Sequence, residues 1–423
     1  MSSTTVPLSD AANMLFSVWA GAVNNNTKPI TIFLLGPPGV GKTSIARDVA
    51  ERMRAYDERA LENCPADAPP ELREKLKRRV RMGAAMQLLD LTSTLPEDLM
   101  GLPSLQDGMT RYADHDWHRQ LGMEDRSGVL ILDDLPAAPS SVQTATRQIA
   151  LDRAIHAHKL SDRVLIVVTG NRRDDKSGAT SLPAHFINSV LVVPVAPDLD
   201  GWMRWYAMQG GHEMIAGFLK LKPAHFSRLP KEGDSNGVFP TPRTWAKLGA
   251  LLSQLGTANL HVLAAGLVGE GVSLELTAYE AIRQKMVSPT ALLENPIEAM
   301  PDPSKTLDTP DKLTSVVFSL AVETANRVRS RGVAGANGTP RILPRKAVYD
   351  FLVALAWVSG KAGEGIALGV SVVTNYGQGT DIVALMRNAA LEITSKNGAG
   401  KSYKHGEMLA ERLKVIMTIL GQG

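Results

Sequence analysis

A single cysteine, Cys64, leaves no second thiol for an internal disulfide and fits a reducing compartment. No uninterrupted apolar run reaches the roughly 18 residues that a membrane-crossing helix needs, so no span is expected. Excess charge is also small. A formal net charge of +3 is too little to imply nucleic-acid or membrane binding by itself. The opening stretch "MSSTTVPLSDAANMLFSVWAGAV" has no positive n-region and an acidic residue ahead of its apolar part. It reads as an amphipathic helix capped near Ser9 or Asp10, not as a signal peptide. These shortages together predict a soluble, cytoplasmic protein. At 423 residues, with 44% hydrophobic and 21% charged side chains, the chain is ordinary globular material for two or three domains.

Short, nearly all-apolar runs recur along the first half: "ITIFLL" (30–35), "AAMQLLDL" (84–91), "GVLILDD" (128–134), "RVLIVVTGN" (163–171) and "SVLVVPV" (189–195). Runs of this kind suit parallel strands buried on both faces. Helical stretches at 42–56 and 139–154 alternate with them, which predicts a doubly wound parallel α/β sheet. After "PDLDGWMRWYAMQGG" the strand pattern gives way to helical periodicity. The expected organisation is an N-terminal helix or arm over 1–28 and an α/β core over 29–197. A helical lid over 198–299 and a C-terminal helical extension over 300–423 follow. Within the core, "ELREKLKRRVR" (71–81) places Leu72, Leu76 and Val80 on one stripe of a basic helix. It reads as a solvated helix docked by that stripe, with a nucleic-acid patch as the less favoured alternative.

The stretch Gly36, Pro37, Pro38, Gly39, Val40, Gly41, Lys42, Thr43 fits G-x-x-x-x-G-K-[ST], follows an apolar strand and opens a helix. Its glycines let backbone N–H groups form a phosphate cradle at a helix N-terminus. Lys42 is expected to reach the terminal phosphates of a nucleoside triphosphate, the Thr43 hydroxyl to bind Mg²⁺, and Ser44 to complete the binding segment. A similar string, "NGAGKS" (397–402), has Ser395 where the first glycine should stand and is discarded.

Four apolar residues and an acidic pair, "VLILDD", make up the second nucleotide motif. Asp133 at the strand tip is expected to hold Mg²⁺, and Asp134 to orient an attacking water. One strand later, "VVTGN" ends on Asn171, which is expected beside the terminal phosphate.

In this order the three elements resemble the AAA+ ATPases, and "LDDLPAAPSSVQTATRQIALDRAIHAHKLSDRVLIVVTGN" is similar to their MoxR-like, dynein-related branch. "LDLTSTLPEDLMGLPSLQDGMTRYADHDW" (89–117) resembles that branch's second strand and its "P-x-D-L-x-G" turn, which implies a β-hairpin insert near 102–117. "FPTPRTW" (239–245) is similar to the lid-domain arginine motif, which implies that Arg243 senses the γ-phosphate. The resemblance implies ATP and Mg²⁺ as cofactors and a homo-oligomeric, usually hexameric ring. It also implies remodelling of a protein partner, in several relatives one with a von Willebrand factor A domain.

One position departs from the pattern. The family's "LP-x-x-[LF]-x-N-R-[FV]" supplies an arginine finger, whereas "LPAHFINSVLVVPV" has Ser189 there. Arg172, Arg173 or Lys176 would have to substitute, or hydrolysis would be slow. Two rival readings follow: a weakly hydrolysing ATP-gated scaffold, and a nucleic-acid-associated motor supported only by "LKRRVR" and the basic pI. Trp202 and Trp205 are expected as a core stripe of the first lid helix. Tyr112 and Trp117 are candidates for gripping a substrate, with packing on a strand face as the equal alternative for Tyr112. His115 and His118 have no further ligands nearby, so no metal site is expected there.

Overall fold

The computed structural model describes residues 5–107, 109–156, 158–172, 182–229, 237–283, 287–330, 345–358 and 418. The chain packs as two units, Met1–Asp198 and Leu199–Gly423.

The first unit contains strands β1 (Val6–Pro7), β2 (Ile32–Leu35), β3 (Ala85–Asp90), β4 (Pro103–Gln106), β5 (Met109–Tyr112), β6 (Gly128–Asp133), β7 (Ala154–Ile155), β8 (His158–Lys159), β9 (Val164–Gly170) and β10 (Leu191–Ala196). Six of them form a fully parallel sheet in the order β1-β10-β2-β9-β6-β3. The pairs β4–β5 and β7–β8 are separate antiparallel hairpins. Helices cover both faces, so the central strands need no polar side. Val129, Ile131, Leu165 and Val167 pack with Leu15 and Trp19 of the helix Leu8–Asn24 and with Val49 and Met53 of the helix Lys42–Glu62. Leu130, Leu132, Ile166 and Val168 face the opposite way, against Val142 and Ile149 of the helix Ser140–Asp152. This two-sided burial is why β6 and β9 read as continuous apolar runs.

The sheet departs from expectation at its edges. β3 ends one side and alternates, with Met86 and Leu88 exposed. β1 is invisible in the sequence because it is two residues long and is formed by pairing with β10. It pulls the first helix forward, so Pro7 is the N-cap and Ser9 and Asp10 lie inside the first turn. The Ser9 hydroxyl donates to Asp198 Oδ2 at 2.7 Å instead of capping. The basic helix spans Pro70–Met82 and buries Leu76, while Leu72 is exposed. Three of its cations, Lys75, Arg78 and Arg79, contact the one carboxylate of Asp125 at 3.0–3.2 Å.

Among the described residues the second unit is wholly helical, from Leu199–Met208 to Arg345–Val358. A single apolar core runs from Met203 to Val358, with Phe218, Trp245, Leu276, Leu320, Phe351 and Leu352 almost fully buried. Helices on both sides of residue 300 contribute to it, and the Trp357 indole donates to Met300 O at 2.8 Å. Trp202 packs against this core and stacks on Tyr206 with ring centroids 4.4 Å apart. Trp205, expected beside it, is 41% exposed, because Tyr206 occupies the inward position.

Candidate nucleotide site

The C-terminal ends of β2, β6 and β9 are adjacent in the sheet, and the residues singled out by sequence gather there. β2 runs into the loop 36–41. Gly36 lies so close to β10 that a Cβ would meet Val195 O and Cγ2 at 2.6 Å. Gly39 and Gly41 have φ of 75° and 105°, conformations a side chain would strain. Gly41 is the N-cap of the helix Lys42–Glu62, and Ser44 N and Ile45 N donate to Gly41 O at 3.0 and 3.3 Å. Val40 is buried and anchors the loop, whereas the Ser44 side chain is exposed. The unpaired N–H groups of a helix start, wrapped by a glycine loop, form an anion cradle.

The Lys42 side chain is largely buried. Its Nζ donates to Gly36 O at 2.7 Å, Pro37 O at 3.0 Å and Asn171 Oδ1 at 2.8 Å. An ammonium held by three oxygens, all from its own loop or the tip of β9, is fixed in position. Thr43 Oγ1 donates toward Asp133, 3.2 and 3.3 Å from its two carboxylate oxygens. Asn171 joins the lysine to the second acid, its Nδ2 donating to Asp134 Oδ1 at 3.3 Å. Lys42, Asn171 and Asp134 are thus linked directly, and Thr43 and Asp133 form the pair beside them.

Asp134 is in the left-handed region, φ 59° and ψ 43°. Aspartate tolerates this conformation better than most residues. Burial pushes its carboxyl above the ordinary range; the Lys42 charge pulls it down, and Asp133 and Asp90 add to the rise. Thr43 and Asp133 offer only hard oxygens from a few positions, a donor set that suits Mg²⁺ with water and phosphate completing the shell.

Sequence reasoning missed two residues here. Asp90, at the tip of β3, is the register partner of Asp133. Its Oδ1 accepts from Thr92 N and Oγ1 at 3.0 and 2.6 Å. Thr169 on β9 is 1% exposed and contacts both acids, which joins the two halves of the cluster. Its place two residues before Asn171, hence on the same strand face, is the signal that could have found it.

The remaining candidates lie elsewhere. Ser189 follows the short helix Ala184–Ile187, is exposed, and donates to His185 O at 2.7 Å. Arg172 is half-buried and donates to Val195 O at 3.3 Å. Arg173 and Lys176 fall outside the described residues, as does "NGAGKS". Arg243 belongs to the second unit, exposed in the first turn of the helix Pro242–Leu255, whose cap is the Thr241 hydroxyl accepting from Thr244 N at 3.2 Å. Trp117 is buried in the core rather than presented for a substrate, and Tyr112 is stacked on His156 at 3.7 Å. His115 meets Glu97 O and His118 meets Asp114. No group of three or more His, Cys, Asp or Glu side chains placed to hold a metal ion occurs among the described residues, and none of their helices is long and apolar enough to cross a membrane.

Residues 31–186 match the family model of the AAA domain, dynein-related subfamily. No curated protein matches the sequence. Similar solved structures include the RuvB Holliday junction branch migration motor from Thermotoga maritima, at 15% identity over 81% of this chain and 93% of that one, with a TM-score of 0.34. A putative ATPase from Cytophaga hutchinsonii is 12% identical over 74% and 73%, with a TM-score of 0.26. NtrX from Brucella abortus, in complex with ATP, is 14% identical over 66% and 70%, with a TM-score of 0.27. The family match, the parallel sheet and the loop together establish that the chain carries an AAA domain of the dynein-related subfamily, an ATPase class.

Proposed function

We propose that this AAA domain binds MgATP at the strand-end cluster and hydrolyses it. The observation that carries the reading is the clustering of Lys42, Thr43, Asp133, Asp134 and Asn171 beside a glycine loop at a helix N-terminus. In this reading residues 36–44 hold the phosphates, and Thr43 and Asp133 hold Mg²⁺. Mg²⁺ supplies charge neutralisation at the phosphates. Asp134 orients the attacking water and is itself held by the Asn171 amide, which also fixes Lys42. The αL backbone of Asp134 turns its short side chain back toward Asn171 rather than along the strand.

Further out, the chain works as a homo-oligomeric ring of the MoxR-like kind, in which adjacent copies act together. Arg243 serves as the lid's γ-phosphate sensor, and the ring acts in the cytoplasm on a protein partner, a von Willebrand factor A-domain protein being the family's precedent. Ser189 supports a second reading, an ATP-gated scaffold with slow turnover, because its neutral hydroxyl is engaged by His185 O and brings no charge to a neighbour.

The test is steady-state MgATP turnover of the parent and of Asp134→Asn, with particle mass measured with an ATP analogue, with ADP and without nucleotide. Asparagine tolerates the αL conformation, so the variant should fold and bind ATP while turnover falls about a hundredfold or more. Equal turnover in parent and variant contradicts the role of Asp134. A parent that binds ATP but scarcely turns it over favours the scaffold, and a monomer under all three conditions contradicts the ring.

A further inference from the structure

We infer that Thr169 is the positioning residue that holds the two acids of the site in register, through a hydroxyl shared between the Asp133 carboxylate and the Asp134 backbone. The inference rests on the MgATP reading above and extends it to a residue with no predicted role.

Both of the hydroxyl's contacts are defined. Thr169 Oγ1 donates its only proton to Asp133 Oδ1. The same oxygen accepts from Asp134 N–H at 3.0 Å. The donor direction is settled by chemistry: an ionised carboxylate only accepts, and a backbone N–H only donates. The hydroxyl is therefore locked as a relay and cannot rotate to serve anything else.

This relay meets two needs of the site. Asp133 Oδ1 receives Thr169 from one side and Thr43 from the other, so the carboxylate plane is set by two hydroxyls. Meanwhile Asp134 leaves β6 in the left-handed region, where its N–H no longer continues the sheet's hydrogen-bond ladder. Thr169 takes up that N–H and secures the turn that presents the Asp134 side chain to Asn171. The residue is 1% exposed, so water cannot substitute for the hydroxyl. Its strand neighbours bind the rest of the site: Gly170 O accepts from Gly36 N at 3.1 Å, and Asn171 bonds Lys42. The end of β9 thereby fixes acids, loop and lysine as one unit.

The experiment compares the parent with Thr169→Ser, Thr169→Val and Thr169→Ala in the full chain. Three quantities are read: ADP affinity in EDTA, Mn²⁺ affinity of the ADP complex by electron paramagnetic resonance, and MgATP turnover. Residues that orient metal ligands typically change affinity or activity by about 10–100-fold. Val and Ala variants should lose about tenfold or more in Mn²⁺ affinity and in turnover, with ADP affinity in EDTA within about twofold of the parent. The serine variant should restore both. A packing role alone would lower thermal stability and metal-free ADP affinity together, and serine would not rescue. The inference is overturned if Val and Ala keep parental Mn²⁺ affinity and turnover, or if serine is as impaired as they are. A parent that binds neither ADP nor Mn²⁺–ADP overturns the MgATP reading itself, a result no Thr169 variant can produce. If the valine variant does not fold, the alanine variant carries the same comparison.

Discussion

The two units place their polar side chains in different settings. In Met1–Asp198 one group of polar residues collects at the C-terminal strand ends and is bonded together around a loop, Lys42, Thr43, Asp133, Asp134, Thr169 and Asn171, while the buried Arg163–Asp57 pair lies at the other end of β9. In Leu199–Gly423 charged side chains pair with one another on helices around a continuous apolar core. Arg283 there bridges Glu213 at 2.7 Å and Glu280 at 2.6 Å. The first arrangement is suited to binding and chemistry, since its polar groups gather at the strand ends. The second is suited to holding helices together, since its charges are engaged with each other.

The comparison breaks first, and most heavily, at the apolar core. Phe351 is completely buried, so Phe351→Ala should destabilise the second unit by about 3–5 kcal/mol. Denaturant unfolding followed by hydrogen exchange should assign the loss to helices beyond residue 199, with ADP affinity kept. Loss of ADP binding at temperatures where the first unit remains protected would show that the two cores are not separable in this way.

A smaller effect is expected at Arg172. If it supplies the charge that Ser189 does not, Arg172→Ala should lower turnover about tenfold, with ATP binding intact and rates compared at matched oligomer concentration. Ser189→Arg should keep or raise the rate. Full activity in Arg172→Ala would remove this residue as the displaced finger.

The smallest effect concerns acid. Burial holds the His212 imidazole below its ordinary range; the Arg283 charge adds to the lowering and Glu280 opposes it. Its Nδ1 accepts from Met214 N at 3.3 Å and so caps the helix Glu213–Leu221, which only the neutral ring can do. The folded state thus binds fewer protons than the unfolded one. Stability is full above the unfolded value of about 6.5 and is lost as pH falls through the lowered folded value. His212→Asn keeps a capping acceptor without a titration and should flatten this loss by about 1 kcal/mol. His118 in the first unit serves as an internal control, since burial lowers it too. An unchanged pH profile in His212→Asn would contradict the assignment.

Most of the sheet is legible in the sequence because β6 and β9 are buried on both faces, and a strand with no wet side can only be written in apolar residues. The loop is legible because Gly39 and Gly41 sit at positive φ and Gly36 against Val195, constraints that few residues satisfy. What escapes is set by partners distant in sequence. β1 exists only through β10, and Ser9 bonds Asp198 rather than its own helix. The αL turn of Asp134 and the Thr169 relay depend on the β6–β9 register, which no local pattern states. The helical unit is readable as helical but not in detail. Trp202 and Trp205 both fit an inward stripe, and only packing against Tyr206 decides that Trp205 faces out.

Lys42 offers the most direct test, because it ties the loop to Asn171 and is the cluster's ammonium. Calorimetry of ATP binding to the parent and to Lys42→Ala, with the second unit's thermal transition followed in parallel, isolates it. The account predicts that affinity falls about a hundredfold or more in the variant while that transition stays in place. Unchanged ATP affinity in Lys42→Ala would contradict the assignment of the strand-end cluster as the nucleotide site.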